Sequence, residues 1–333
     1  MAATLLLALC PALFRKRGPL VLTLGAFSVP EEAYREIIPL FQKRWKEMTG
    51  SRVEVRVSFM DGGDQSRAVA AGFPADVAAL ALTSDIERLE RAGLVTHDWK
   101  KGRYRGVVTR SVVAIAVREG NPQRIHGWGA LAEPGVRVLI SHPKTSERAR
   151  WSFLALYGSA ERGAADPYAA GDGGAFRFCA AVFRNVAALD DSPRETLRRF
   201  AGGWGDAAVA CESDILAERL SGAAVERVIP RSAVLVENPV AVVDVNADRH
   251  GARKEAEAFV DFLWSPEAQE VFARRGFRPV DRRVMERFRG EFPPVPDLWK
   301  VDEFGGWSEV GTVFFGPGGL FDSVMEEVHA PAS

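Results

Sequence analysis

The chain has 333 residues, 47 % of them hydrophobic and 26 % charged, a length that suits two lobes or one large α/β unit. That composition excludes a disordered or collagen-like protein. Forty-three basic residues stand against forty-four acidic ones, and the net charge of −1 leaves no bulk electrostatic case for nucleic acid.

Residues 3–14 are mostly apolar, from Leu5 to Phe14, and too few to span a bilayer. No basic residue precedes the run, and Arg15, Lys16 and Arg17 follow it, the reverse of an ordinary secretory signal. A lipoprotein reading through Cys10 meets Leu9 where a small residue is expected. Residues 1–19 are therefore read as a leader-like or unstructured segment, either an imperfect export segment or a mis-called start. No other run is long and apolar enough for a membrane helix.

From Val21 onward, short apolar strands alternate with helices. Val21–Leu24 reads as a strand, and Pro30 suits the first turn of a helix, where its missing N–H is no loss. Tyr34, Ile37, Ile38, Phe41 and Trp45 recur at helical spacing. Val53, Val55, Val57 and Phe59 alternate with polar residues, which predicts a half-buried strand. The nearly all-apolar stretch Asp76–Leu82 predicts a strand covered on both faces. Ser84 and Glu87 are spaced as a capping box. Val112–Val117 and Val138–Ser141 are further strands, and Ser146 is placed to start the helix of Trp151, Leu154 and Ala155. Residues 160–175 read as a loop, Ala207–Cys211 as a strand, and Val234–Val236 and Val240–Val243 as strands flanking Asn238-Pro239. Such alternation predicts parallel α/β sheets, whose ligands bind outside the carboxyl ends of strands.

The familiar enzyme signatures are missing. Five scattered histidines form no HxH or HExxH pair, and no GxGxxG follows a strand. GxxxxGK[ST] and GxSxG are absent as well. The sequence therefore predicts neither a metal nor a cofactor and no catalytic residues. His142 and Cys211 could meet only as a nucleophile–base pair, against which stands the plainer reading of Cys211 as a small buried residue at a strand end. Asp206, Glu212 and Asp214 read as a solvated rim. Cys179 and Cys211 either bridge or stay free; their spacing leaves both open. The run from Ser141 to Trp151 is more informative. A strand ends, Pro143 breaks the chain, and Thr145-Ser146 stand where a helix N-terminus would attract an anion.

His142–Trp151 resembles the NPKTSGGARW signature of the bacterial sulfate- and thiosulfate-binding proteins of ABC importers. Gly72–Leu94 is similar to that family's GLxADVxxLALxxDIxxLxxxGL run, and Val117–Val136 to VRKGNPxxIxDWxDLxxPGV. Glu237–Asp244 resembles EPPVAVVD, and Phe304–Trp307 and Gly318–Asp322 repeat FGGW and GGxFD. The resemblance runs from about residue 20 to 325. It implies a two-lobed α/β type II periplasmic-binding-protein fold, with a cleft between the lobes and two crossover strands near Thr109–Ser111 and Asn238–Ala241. Lobe I would comprise residues 20–109 plus 241–333, and lobe II residues 110–240.

The same resemblance implies an oxyanion held in the cleft without a counter-charge, by backbone N–H groups, a serine hydroxyl and a tryptophan N–H. The matching positions are Ser28, Gly62, Ser146, Glu147, Arg148, Arg194 and Cys211. Several depart from the family pattern. Glu147 and Arg148 replace two glycines, Pro193 brings no N–H, and Cys211 stands where the family has its tryptophan. Each lost hydrogen bond to a charged group is worth roughly 1.5–3 kcal/mol, so two weaken binding by about two to four powers of ten. Arg148 and Trp204 are the candidate substitutes. The resemblance thus implies a monomeric solute-binding protein, not an enzyme, that passes sulfate or a related oxyanion to an ABC permease. It places the protein in the periplasm; chloroplast association and membrane tethering by the N-terminal segment are the alternatives. A repurposed relative that binds another ligand or a protein partner is the second reading, and a thiol-dependent transferase using Cys211 the third.

Overall fold

The computed structural model describes residues 20–60, 63–146, 148–165 and 167–330. The leader-like segment, Gly62 and Glu147 lie outside the described residues. The chain begins with β1 (Leu20–Phe27), α1 (Glu31–Thr49), β2 (Val53–Met60), α2 (Asp64–Ala70), β3 (Val77–Ala79) and α3 (Thr83–Arg91). It continues through β4 (Val107–Arg118), β5 (Val138–Ser141), α4 (Arg150–Glu161), α5 (Gly174–Arg184), β6 (Val186–Asp190), α6 (Pro193–Ala201), β7 (Ala207–Cys211), α7 (Glu212–Leu220) and β8 (Val225–Val228). The remainder is β9 (Ser232–Val242), α8 (Asp244–His250), α9 (Arg253–Leu263), α10 (Pro266–Arg274), β10 (Arg278–Pro279), α11 (Arg282–Arg287), β11 (Asp297–Trp299), α12 (Gly306–Val313) and α13 (Leu320–His329). No helix among the described residues is long and apolar enough to cross a membrane.

The strand order is β2-β1-β3-β9-β4-β7-β5-β6. β1 pairs in parallel with β2 and β3, and β5 pairs in parallel with β6 and β7. The two parallel groups are joined by the antiparallel pair of β4 and β9, the crossover strands of this fold. β4 is longer than its apolar run predicts. Val107–Ser111 gain their strand hydrogen bonds from β9, far away in sequence, so no local pattern announces them.

Asn238-Pro239 was expected to interrupt the chain, yet β9 runs straight through it. The pairing with β4 shifts register between Val107 and Thr109, opposite Pro239. An imide nitrogen is tolerated at such an irregularity. Asn238 secures the spot by accepting from Thr109 Oγ1 at 3.1 Å and donating to the Ala81 carbonyl at 3.1 Å. The cap of α3 also differs from expectation. The Asp85 carboxylate accepts from the Leu82 N–H at 3.2 Å, while Glu87 pairs with Lys100 instead of closing a box with Ser84.

α1 buries Tyr34, Ile37 and Phe41. The Tyr34 ring meets Phe272 edge-on at 5.6 Å, and Phe41 meets Phe259 at 5.0 Å, so α9 and α10 close the far side of the first half-sheet. Residues 297–330 pack on elements of the second half of the sheet. β11 adds in parallel to the Ser232–Val234 end of β9, α13 lies on α5, and Phe321 stacks edge-on against Phe153 at 5.4 Å. An aromatic cluster thus draws the C-terminal segment onto α4 and α5, and α12 touches α3 on the way.

Trp299 is fully buried against the glycine face of α4. A Cβ on Gly158 would lie 2.3 Å from its ring. Helix propensity favours Gly158→Ala by about 1 kcal/mol, whereas overpacking costs about 1–3 kcal/mol. Gly158→Ala is therefore expected to be net destabilising in urea unfolding, and a stabilised variant would contradict this packing.

Candidate functional site

One pocket of about 210 Å³ opens where the two halves of the sheet meet. Its walls come from residues just beyond the carboxyl ends of β1, β5, β6 and β7, the place where parallel α/β sheets bind ligands. Ser28 follows β1 at the start of α1. Ser146 and Arg148 come from the turn between β5 and α4, Ser192 and Arg194 from the start of α6, and Asp214 from the first turn of α7. The first turns of α1 and α6 and one side of α7 from Asp214 to Ser221 border the pocket, and Glu31, Glu32 and Glu218 bring carboxylates to its lining.

The local chemistry explains these positions. Ser192 caps α6 by accepting from the Glu195 N–H at 3.2 Å, and Pro193 occupies the first helical position, where a missing N–H is tolerated. The single Thr145 Oγ1 proton is shared between the His142 carbonyl at 3.0 Å and the Asp191 carbonyl at 3.2 Å, which brings the β5–α4 turn beside the β6–α6 turn. α4 begins at Arg150, later than expected. Ser146 lies one turn upstream, its carbonyl accepting from the Ala149 N–H at 3.1 Å, so it faces the pocket instead of capping the helix.

Of the residues singled out from the sequence, Ser28, Ser146, Arg148 and Arg194 line this pocket. Gly62 and Glu147 lie outside the described residues. Cys211 sits behind the wall at the N-cap of α7, 5 % exposed and beside the Arg148 guanidinium. Trp204, the other candidate substitute donor, is 62 % exposed and is not part of the pocket. Ser192, which the sequence did not single out, and Asp214, expected only in a solvated rim, line the pocket as well.

The expected solvated rim is overturned for Glu212 and Asp214, both of which are buried. Glu212 accepts from Arg278 Nε at 2.5 Å and lies 3.3 Å from Arg227 Nε. Asp214 accepts two hydrogen bonds from Arg148 Nη2, at 2.8 and 2.6 Å. Arginines from distant segments make this burial possible, and no local pattern around Cys211 foretells them. Asp206, nearer the surface, pairs with Arg137 at 3.1 Å.

Cys179 and Cys211 are both free and buried. Burial, reinforced by the Asp214 carboxylate, pushes the Cys211 thiol up to about 12. His142 packs on Phe321, with its Nδ1 accepting from the Lys144 N–H at 3.1 Å. Burial and the Lys144 charge hold its imidazole below the ordinary histidine value. A thiol held protonated is a poor nucleophile, so the geometry lends nothing to a transferase.

Two half-sheets joined by two crossover strands, with a pocket at the seam, define a solute-binding fold. Residues 22–278 match the family model of the bacterial extracellular solute-binding proteins, and the chain belongs to that family. A sulfate-binding protein of Synechococcus elongatus is 40 % identical over 313 residues, covering 93 % of this chain and 88 % of the relative. A thiosulfate-binding protein of Pseudomonas aeruginosa is 32 % identical, covering 90 % of each. Among solved structures, the sulfate-binding protein SubI from Mycobacterium tuberculosis superposes with a TM-score of 0.77 at 34 % identity, over 89 % of this chain and 99 % of that one. These relatives are named as binding proteins, not enzymes.

Two outcomes follow from the buried groups. Arg278→Met strands Glu212 in the interior and is expected to cost about 3–5 kcal/mol in chemical denaturation; a loss below about 1 kcal/mol would show that Arg227 alone satisfies the carboxylate. Iodoacetamide at about pH 8 is expected to label Cys179 and Cys211 only after denaturation, since the reagent needs an accessible thiolate. Rapid labelling of the native protein, read by mass spectrometry, would contradict the buried placement.

Proposed function

We propose that this protein captures sulfate or a related oxyanion in the interlobe pocket and delivers it to the permease of an ABC importer. The observation that carries the reading is the convergence on one pocket of Ser28 from one half of the sheet with Ser146, Arg148, Arg194 and the start of α6 from the other. Helix N-termini and hydroxyls suit a tetrahedral anion, and closure of the halves over it would exclude water. The names of the relatives support the same ligand class. The first lobe is taken as residues 20–109 with the chain from 241 to about 296, and residues 297–330 are assigned to the second. The protein acts as a monomer on the extracytoplasmic side, in the periplasm, and uses no catalytic residue.

Sulfate is expected to raise the melting temperature and to titrate calorimetrically at a single site. Ser146→Ala removes one hydroxyl donor to a charged ligand and is expected to weaken binding about tenfold or more. The reading fails if sulfate, thiosulfate, molybdate, tungstate and phosphate all leave the melting temperature unchanged.

A further inference from the structure

Ser146 reaches the pocket on a turn, and that turn is built around one residue, His142. The His142 carbonyl accepts from the Thr145 and Ser146 N–H groups, both at 3.2 Å, and takes its share of the Thr145 Oγ1 proton at 3.0 Å. The His142 N–H donates to the Asp190 carbonyl at 2.8 Å, which anchors the residue on β6. The ring Nδ1 accepts from the Lys144 N–H at 3.1 Å. A backbone N–H can only donate, so this bond fixes the tautomer, with the lone pair on Nδ1 and the proton on Nε2. The ring packs edge-on against Phe321 of α13 at 5.3 Å, and Lys144 Nζ reaches Asp322 on the same helix at 2.6 Å. The Gly318–Asp322 stretch thus backs the turn from behind.

His142 stands where the signature that His142–Trp151 resembles has asparagine. A carboxamide oxygen there can accept from the N–H two residues on, as in an Asx-turn, at every pH. An imidazole does the same only while it is neutral. Once protonated, Nδ1 carries a hydrogen and meets the Lys144 N–H donor against donor. The charged groups around the ring are Lys144 on its own turn, Asp191 from the β6–α6 turn and Asp322 from α13. Burial and Lys144 outweigh the two carboxylates and hold the imidazole below the ordinary histidine value. The accepting ring is therefore present at neutral pH, and the acceptor is lost as the pH falls through that lowered value. The charge gained in acid faces Asp191 and Asp322, outside the lining of the pocket, and so adds little attraction for an anion.

We propose that His142 is a positioning residue that makes the anion-binding turn sensitive to pH: the neutral ring holds residues 143–146 in the shape that presents Ser146, and protonation releases them, so that the oxyanion is bound tightly near neutrality and more weakly in acid. The proposal rests on the reading of the pocket as an oxyanion site. Sulfate stays a dianion across the range in which the ring titrates, so the change lies in the protein.

The test is calorimetric titration of sulfate at about pH 7.5 and about pH 5 into the parent protein, His142→Asn and His142→Leu. Melting temperatures at each pH show that the proteins are folded. The pocket carboxylates Glu31, Glu32, Asp214 and Glu218 are common to all three, so their own titration cancels in the comparison. His142→Asn restores the acceptor without the titration and is expected to bind at neutral pH within about twofold of the parent. From neutral pH to acid, the parent is expected to lose about threefold or more in affinity relative to His142→Asn. His142→Leu keeps an apolar contact for Phe321 but no acceptor. It is expected to bind about fivefold more weakly than the parent at neutral pH and to share the pH dependence of His142→Asn. Equal pH dependence in the parent and a folded variant overturns the proposal, and either variant alone suffices for that comparison. Binding by His142→Leu that equals the parent's at neutral pH overturns it too. If the parent binds no sulfate at neutral pH, the functional reading falls and takes this one with it; if the parent binds and the variants fail as stated, only the role of His142 falls.

Discussion

Where β4 and β9 cross between the two halves of the sheet, Thr109 faces Asn238 and Arg110 faces Glu237. Every other feature of the molecule hangs from this antiparallel pair. It sets β1, β2 and β3 on one side and β5, β6 and β7 on the other, each group parallel within itself. Parallel strands feed helices from their carboxyl ends, so the helix N-termini of both groups can be directed at the seam. A single shared sheet path thereby turns two α/β units into the opposing walls of one pocket. The register shift opposite Pro239 lies in the same stretch, and the Asn238 side chain bridges β4 to the β3–α3 turn across it.

The near-zero net charge of the chain hides a strongly organised interior. Behind the pocket, Glu212 is held by Arg227 and Arg278, and in its wall Asp214 is held by Arg148. Buried carboxylates survive only when paired and hydrogen-bonded. The pairs draw on partners far off in sequence, which welds α7 to β8, β10 and the β5–α4 turn. The Glu212–Arg278 pair thus ties α7 to the chain beyond residue 241, and the charges at the pocket are paired locally, without a basic protein.

Much of this was legible in the sequence. Alternation of short apolar strands with amphipathic helices identified the α/β class, and β5 and β7 fall where their apolar runs begin and end. The turn after β5 read by itself as a helix start capped by Ser146, and became an anion-site candidate through the resemblance of His142–Trp151 to the family signature. What escaped notice shares one cause, long-range partnership. Val107–Ser111 are strand because β9 and, at Thr109 and Arg110, β10 lie alongside, and Asn238-Pro239 is tolerated where the register slips. Glu212 and Asp214 are buried only because arginines arrive from elsewhere in the chain. The C-terminal segment crosses to α5 for an aromatic cluster whose members are scattered over residues 153–321. Local periodicity carries none of these. The departures at 148 and 211 were visible as substitutions, but their adjacency is a property of the fold.

The passage of the C-terminal segment onto α4 and α5 has a mechanical consequence. After β10, which pairs with β4 at Thr109 and Arg110, the chain leaves the crossover region and reaches β9 again at Ser232–Val234. The two halves are thus connected three times, by β4, by β9 and by the stretch from β10 to β11. Two adjacent strands act as a leaf spring that bends about one line but also allows twist. A third connection displaced from that line resists torsion and leaves bending as the soft motion. Bending about that line would change the distance between Ser28 and the Ser146 and Arg194 side of the pocket.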